Sequence, residues 1–284
     1  MAKPRRRTSV SRARALSAAS AALICGLLPL CVGGVPARAG AAANASPGLS
    51  EAAGAVKLAV SFSPERLGGG TTVSLGFQIS TPSGQTPSPL TSIELLYPGN
   101  LGIASSSLGL ETCSPTSLEQ NGLAGCPANS LMGRGSALVA VPFGPRILLE
   151  QASITLLSGP VQNGHLGLLF FASGEIPVLA NLVFPGLVLP ANAPFGGLLD
   201  ATLPPVPSVP GGPDASVLRL QTTIGPRHIT YYERVNGRTI AFHPKGILLP
   251  KSCPRGGFPF TANLTFQNTA HASASTAVPC PRGG

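Results

Sequence analysis

The chain has 284 residues, of which 43% are hydrophobic and only 10% charged, with 35 glycines and 30 prolines. That hydrophobic content points to a packed fold rather than disorder, in spite of the Gly and Pro. Seven of the 19 basic residues fall in the first 39 positions, so the remaining 12 face 10 acidic ones at a net +2, and the body lacks the clustered positive footprint that nucleic-acid binding needs.

Residues 1–39 read as a signal peptide. Lys3, Arg5, Arg6, Arg7, Arg12 and Arg14 form a basic start, an uncharged run follows from Ala15 to Val35, and Ala37-Arg38-Ala39 offers small residues for cleavage. Ala43-Asn44-Ala45 is a second small-residue site, which places the mature start between Gly40 and Ser46. Retention as a membrane anchor is the competing reading, because 21 uncharged residues are long enough to span a bilayer. Pro29 and the small-residue exit argue against it. Cys25 and Cys31 follow Ile24 and Leu30 rather than a small residue, which disfavours a lipoprotein, and Arg6-Arg7 is a weak twin-arginine match. Residues 40–55 read as a flexible segment, and residues 56–284 as the folded body.

That body, long enough to bury about three quarters of its unfolded surface, shows apolar periodicity of two broken by turn residues every eight to fifteen positions. Strands are expected at Val56–Ser63, Val73–Ile79, Ile93–Tyr97, Leu138–Val141, Ile147–Leu157 and His165–Phe171, the last two joined around the hairpin signal Asn163-Gly164. A helical turn at Ser114–Gln120 is the one helix candidate. Residues 176–203 are continuously apolar, which suggests strands buried on both faces; a lipid-contacting surface would have the same one-dimensional pattern. Pro177, Pro185 and Pro190 forbid a spanning helix there, so no membrane span is expected once the leader is removed. Leu203–Pro213, with five prolines and two glycines, should be extended and solvated. It is either a crossover within one body or a linker that splits the chain near 203–213. Val217–Thr223, Gly246–Pro250, Phe258–Phe266 and His271–Val278 complete the strand set. The fold class is therefore all-β, with sandwich-like antiparallel sheets in a single body.

Four cysteines lie beyond the leader: Cys113, Cys126, Cys253 and Cys280. Three connectivities exist, and the one with short local loops joins Cys113 to Cys126 and Cys253 to Cys280. Zinc is disfavoured, since no two of these cysteines stand two to four residues apart and no histidine has finger spacing. Between the two pairs lies Asn236-Gly237, the clearest turn signal in the chain, which should close a two-residue type I′ hairpin over Ile229–His243. That register sets Val235 opposite Arg238 and Tyr231 opposite Phe242. The face of Tyr231, Glu233, Val235, Arg238, Ile240 and Phe242 should pack on the core. The other face presents Tyr232, Arg234 and His243, an aromatic beside polar donors able to stack on a sugar or peptide; an ordinary solvated face is the plainer reading.

Cys113, the run Cys126-Pro127-Ala128-Asn129-Ser130-Leu131-Met132-Gly133, the segment Lys251-Ser252-Cys253-Pro254 and the late Cys280-Pro281 resemble a group of secreted actinobacterial proteins that are themselves uncharacterised. The resemblance implies export and disulfides, and no activity.

Catalytic signatures are missing. No serine stands in G-x-S-x-G, the spacing in Gly133-Arg134-Gly135-Ser136 is wrong, and no H-E-x-x-H, phosphate loop or dinucleotide fingerprint occurs. No catalytic, cofactor-binding or metal-binding residue is therefore assigned. Paired carboxylates for sugar hydrolysis meet only in space, so a secreted hydrolase with a dispersed site stands as the alternative to a secreted or cell-surface binding module. The partners expected of such a module are a glycan, the cell wall or a protein. A cleft joining a histidine or two acids would favour the enzyme. An apolar cavity would revive a third reading, lipid binding through residues 176–189.

Overall fold

The computed structural model describes residues 54–82, 85–103 and 105–281. The expected leader and most of the flexible segment, residues 1–53, lie outside the described residues. The described residues form one unit, an all-β, barrel-like sandwich that is nearly closed. Its strands are β1 (Ala55–Ser63), β2 (Gly70–Ser80), β3 (Leu90–Pro98), β4 (Leu131–Phe143), β5 (Arg146–Gln162), β6 (His165–Gly174), β7 (Ala180–Pro190), β8 (Phe195–Thr202), β9 (Ser216–Ile224), β10 (Tyr231–Val235), β11 (Arg238–Phe242), β12 (Ile247–Leu248), β13 (Phe258–Phe266) and β14 (His271–Val278).

The main sheet runs β1-β2-β9-β4-β5-β6-β7-β8-β3-β13-β14, with β12 attached to β2. Its ladders are antiparallel throughout. The twist of a sheet this long curls it on itself, and the two outer strands, β1 and β14, come within 8 Å Cα to Cα. Consecutive hairpins account for β4 through β8. β3 and β9 are the exceptions, each carried to the far side of the sheet. The Pro-rich segment 203–215 is the second of these crossovers, leading from β8 to β9 between β2 and β4. Within this segment the chain doubles back: Pro207 and Asp214 form an antiparallel bridge, the Ser208 N–H donates to the Pro213 carbonyl at 3.0 Å and the Ala215 N–H to the Val206 carbonyl at 2.8 Å.

Local chemistry explains the tight turns. Asn163 and Gly164 both have positive φ, 51° and 80°, and close β5 onto β6; Asn236 and Gly237, at 50° and 78°, do the same for β10 and β11. These are the two positions where a type I′ turn requires the left-handed region. β10 and β11 keep the expected register, Tyr231 to Phe242 and Val235 to Arg238.

Two clusters form the core. The larger fills the barrel with Phe62, Phe77, Tyr97, Met132, Leu156, Phe258 and Phe260 among others. The smaller lies outside it, where Cys113 and Leu118 cover Leu157, Leu169 and Phe171. This cover includes α1 (Pro115–Asn121), whose first turn has Pro and whose N-cap Ser114 accepts a hydrogen bond from the Ser117 N–H at 3.1 Å. Cys113 is bonded to Cys126 and Cys253 to Cys280, with Cα separations of 5.0 and 5.8 Å, both inside the usual disulfide range. Among the described residues no helix is long and apolar enough to cross a membrane.

Three sequence expectations need correction. Residues 176–203 are not buried on both faces: Ile176, Val178 and Leu179 stand 47%, 60% and 70% exposed, because they lie in the loop between β6 and β7. Leu203–Pro213 is neither wholly solvated nor extended throughout: Leu203, Pro204 and Val206 are half-buried, Ser208 is buried, and the chain turns back at Val209–Gly212 so that Pro207 bridges to Asp214. The apolar face of the β10-β11 hairpin meets the body only at Tyr231 and Phe242; Val235 and Ile240 are exposed, because the hairpin is a separate two-stranded sheet extending past the barrel.

Candidate functional site: an apolar cavity at one end of the barrel

Along β5 the even-numbered side chains point into the barrel, and they change character from one end to the other. Leu156 and Ile154 are large; Ala152 is small; Glu150 is charged. The neighbouring strands follow the same gradient. Ala137 on β4 faces Ala152, and β6 runs from Leu168 through Phe170 to Ala172 and Gly174. At the large end Met132, Tyr97, Phe258 and Phe260 fill the space, with a void of about 40 Å³ beside Leu95, Tyr97, Met132 and Phe260. At the small end a cavity of about 170 Å³ remains.

Its walls are β2, β3, β4, β5, β6, β7 and β9, and its roof is the crossover, from Leu203 to Ser208 and at Ala215. Phe170 and Phe184, paired across β6 and β7, stack on one wall with ring centroids 4.9 Å apart and planes 5° from parallel. Pro89, Ile176, Pro177 and Val178 also line it. Since Ile176 and Val178 are also among the exposed large apolar residues, the cavity reaches the surface there.

Three lining residues are polar: Glu150, Ser208 and Thr222. Thr222 Oγ1 donates to the Leu75 carbonyl at 3.4 Å. Glu150 is 9% exposed. Its Oε1 accepts the Ile176 N–H at 2.9 Å and also the Glu175 N–H, clamping the β6-β7 loop to β5. Gly174 makes this possible, because a Cβ there would stand 2.9 Å from the Glu150 carboxylate. Ser208 Oγ is buried without a hydrogen-bond partner. Glu150 is the single titratable group and no histidine is present among the lining residues, so the cavity does not assemble a nucleophile and base, nor the facing carboxylate pair of a glycosidase. No group of three or more metal-ligating side chains occurs among the described residues.

Tyr232, Arg234 and His243 lie elsewhere. Tyr232 is 49% exposed, Arg234 and His243 are exposed, and His243 Nδ1 is 3.0 Å from the Ile229 carbonyl oxygen. What fixes this hairpin is Asn129, whose Oδ1 accepts the Tyr232 N–H at 2.8 Å and whose Nδ2 donates to the Tyr232 carbonyl at 2.7 Å. Several residues of the run from Cys126 to Gly133 make structural contacts. Cys126 staples the outer cover, Ser130 Oγ donates to the Pro127 carbonyl at 2.6 Å, Met132 fills the barrel, and Gly133 lets β9 approach, since a Cβ would meet the Thr223 oxygen at 2.4 Å.

Sequence reasoning did not single out Glu150 or Ser208. The only available signal was weak: a lone acid within the apolar strand Ile147–Leu157. Compared with family models, curated proteins and solved structures, the chain matches none of them.

Proposed function

We propose that the protein is an exported binding module that holds a small apolar molecule, or one hydrocarbon chain of a larger one, in the open end of its barrel. The observation that carries this reading is the apolar cavity of about 170 Å³ whose lining residues Ile176 and Val178 are also exposed at its mouth. An empty apolar cavity of about 150 Å³ is large enough to take up benzene, which sets the size of the ligand group. Burying it gains about 25 cal/mol for each Å² of apolar surface removed from water. Support for export comes from the basic, apolar and small-residue succession in residues 1–39 and from the paired cysteines. A glycan would need convergent polar groups and is a poorer fit to this wall.

The test is thermal unfolding of the oxidised protein with toluene and hexane, ligands that lack a polar head. At tenfold excess over Kd the midpoint should rise by about 3–5 °C. Ala172→Phe, which fills the cavity from β6, should abolish that rise. No shift with either ligand in the unaltered protein would sink the reading.

A further inference from the structure

Glu150 is out of place in a purely hydrocarbon site. A carboxylate that is 91% buried loses much of its hydration, and one role is already visible: its Oε1 holds the Glu175 and Ile176 N–H groups. That role uses one oxygen. Oε2 has no hydrogen-bond partner among the described residues, yet it is not sealed away, because Ser208 Oγ is the only buried side-chain polar atom left unpartnered there. Both residues line the cavity, and no Lys, Arg or His joins them in the wall. The site therefore offers an incoming head group an anionic acceptor and one free hydroxyl, with no cation.

We propose, on the basis of the apolar-ligand reading above, that the ligand is a small amphiphile whose head donates a hydrogen bond, an alcohol or an amine, and that Glu150 Oε2 receives it while the hydrocarbon occupies the cavity. A carboxylic acid is the wrong partner. Ionised, it has no proton to donate, and it places a second negative charge beside the first in a site of low dielectric, where like charges repel strongly. A hydroxyl or ammonium head supplies the donor that Oε2 lacks, and hydrogen bonds to a charged group are the stronger kind. Ser208 Oγ is a further acceptor or donor for a hydroxyl head.

A matched eight-carbon series separates the possibilities. Octan-1-ol, octylamine and octanoate are titrated calorimetrically at neutral pH into the oxidised protein and into Glu150→Gln, a substitution that retains Oε1 for the two loop N–H groups. The expected result is that octanol and octylamine bind about tenfold more tightly than octanoate, and that Glu150→Gln brings octylamine and octanoate to within about threefold of each other. Octylamine ahead of octanol would identify an amine as the natural head, and the reverse order an alcohol; either supports the proposal. Equal binding of all three by the unaltered protein would overturn it, reducing Glu150 to a loop clamp while leaving the apolar cavity intact. Binding of none of the three, with toluene still bound, would overturn it too. The comparison within the unaltered protein stands even if Glu150→Gln does not fold.

Discussion

Tyr231 shows how one side chain joins two parts of the molecule. It is fully buried, its ring meets Phe242 edge to face at 5.8 Å, and its hydroxyl accepts the Gly109 N–H at 2.8 Å while donating to the Leu131 carbonyl. Tyr231→Phe keeps the ring and leaves both backbone groups without their partner, so it should cost about 1–3 kcal/mol in urea unfolding with an unchanged m-value. The same substitution has a pH signature. Burial raises the Tyr231 pKa above its ordinary 10.0, with the Gly109 hydrogen bond acting in the opposite sense, and burial alone raises that of Tyr97. The folded state therefore holds these protons after the unfolded chain has lost them. Stability from this source is complete below about pH 10 and falls as pH climbs from the unfolded value towards the raised folded one. Tyr231→Phe should make that alkaline fall shallower, and an unaltered fall would show that the phenol of Tyr231 does not contribute to it.

At the scale of elements, most of what was legible in the sequence is local. Ser114 followed by Pro115 marks the start of α1, and Asn163-Gly164 and Asn236-Gly237 fix two hairpins, because each signal acts over two to four residues. The places of β3 and β9 were not legible. Their partners are strands distant in the chain, and alternation says that a strand has an inner face without saying which strand lies beside it. The outer cover around α1 belongs to the legible class and shows what a short element needs. Seven residues cannot hold a helix in water unaided. The cap, the buried Leu118 and the Cys113 to Cys126 bond, a loop of 13 residues, hold it on the barrel. Replacing both of these cysteines with serine should cost about 3 kcal/mol. Hydrogen exchange should rise in residues 113–130 while the β4-β5 and β5-β6 ladders stay protected; equal loss of protection across those ladders would show that the cover is part of the barrel's own cooperative unit.

At the scale of the whole molecule, the barrel is filled at one end and hollow at the other, and this asymmetry was hidden in the sequence for a geometric reason. Ala137, Ala152 and Ala172 are unremarkable alanines 15 and 20 positions apart, and only the β4-β5-β6 register turns them into one thin stretch of wall. Ile176, Val178 and Leu179 misled in the opposite direction, because apolar character suggests burial whether or not a neighbour exists to provide it. The two ends should respond oppositely to changes in side-chain volume. Phe260, 1% exposed at the filled end and packed near Phe62 with ring centroids 6.0 Å apart, should cost about 3–5 kcal/mol when cut to alanine, because transfer energy is lost and a cavity opens. Enlarging a residue in a well-packed core normally costs about 1–3 kcal/mol in strain. Ala152→Leu points into space that is already present, so it should be neutral or stabilising by up to about 1 kcal/mol, since added methylenes gain burial without displacing neighbours. Urea unfolding of the two variants side by side is the measurement. A loss of 1 kcal/mol or more with Ala152→Leu would mean that the β5 wall is already packed, and the binding site would have to be sought elsewhere.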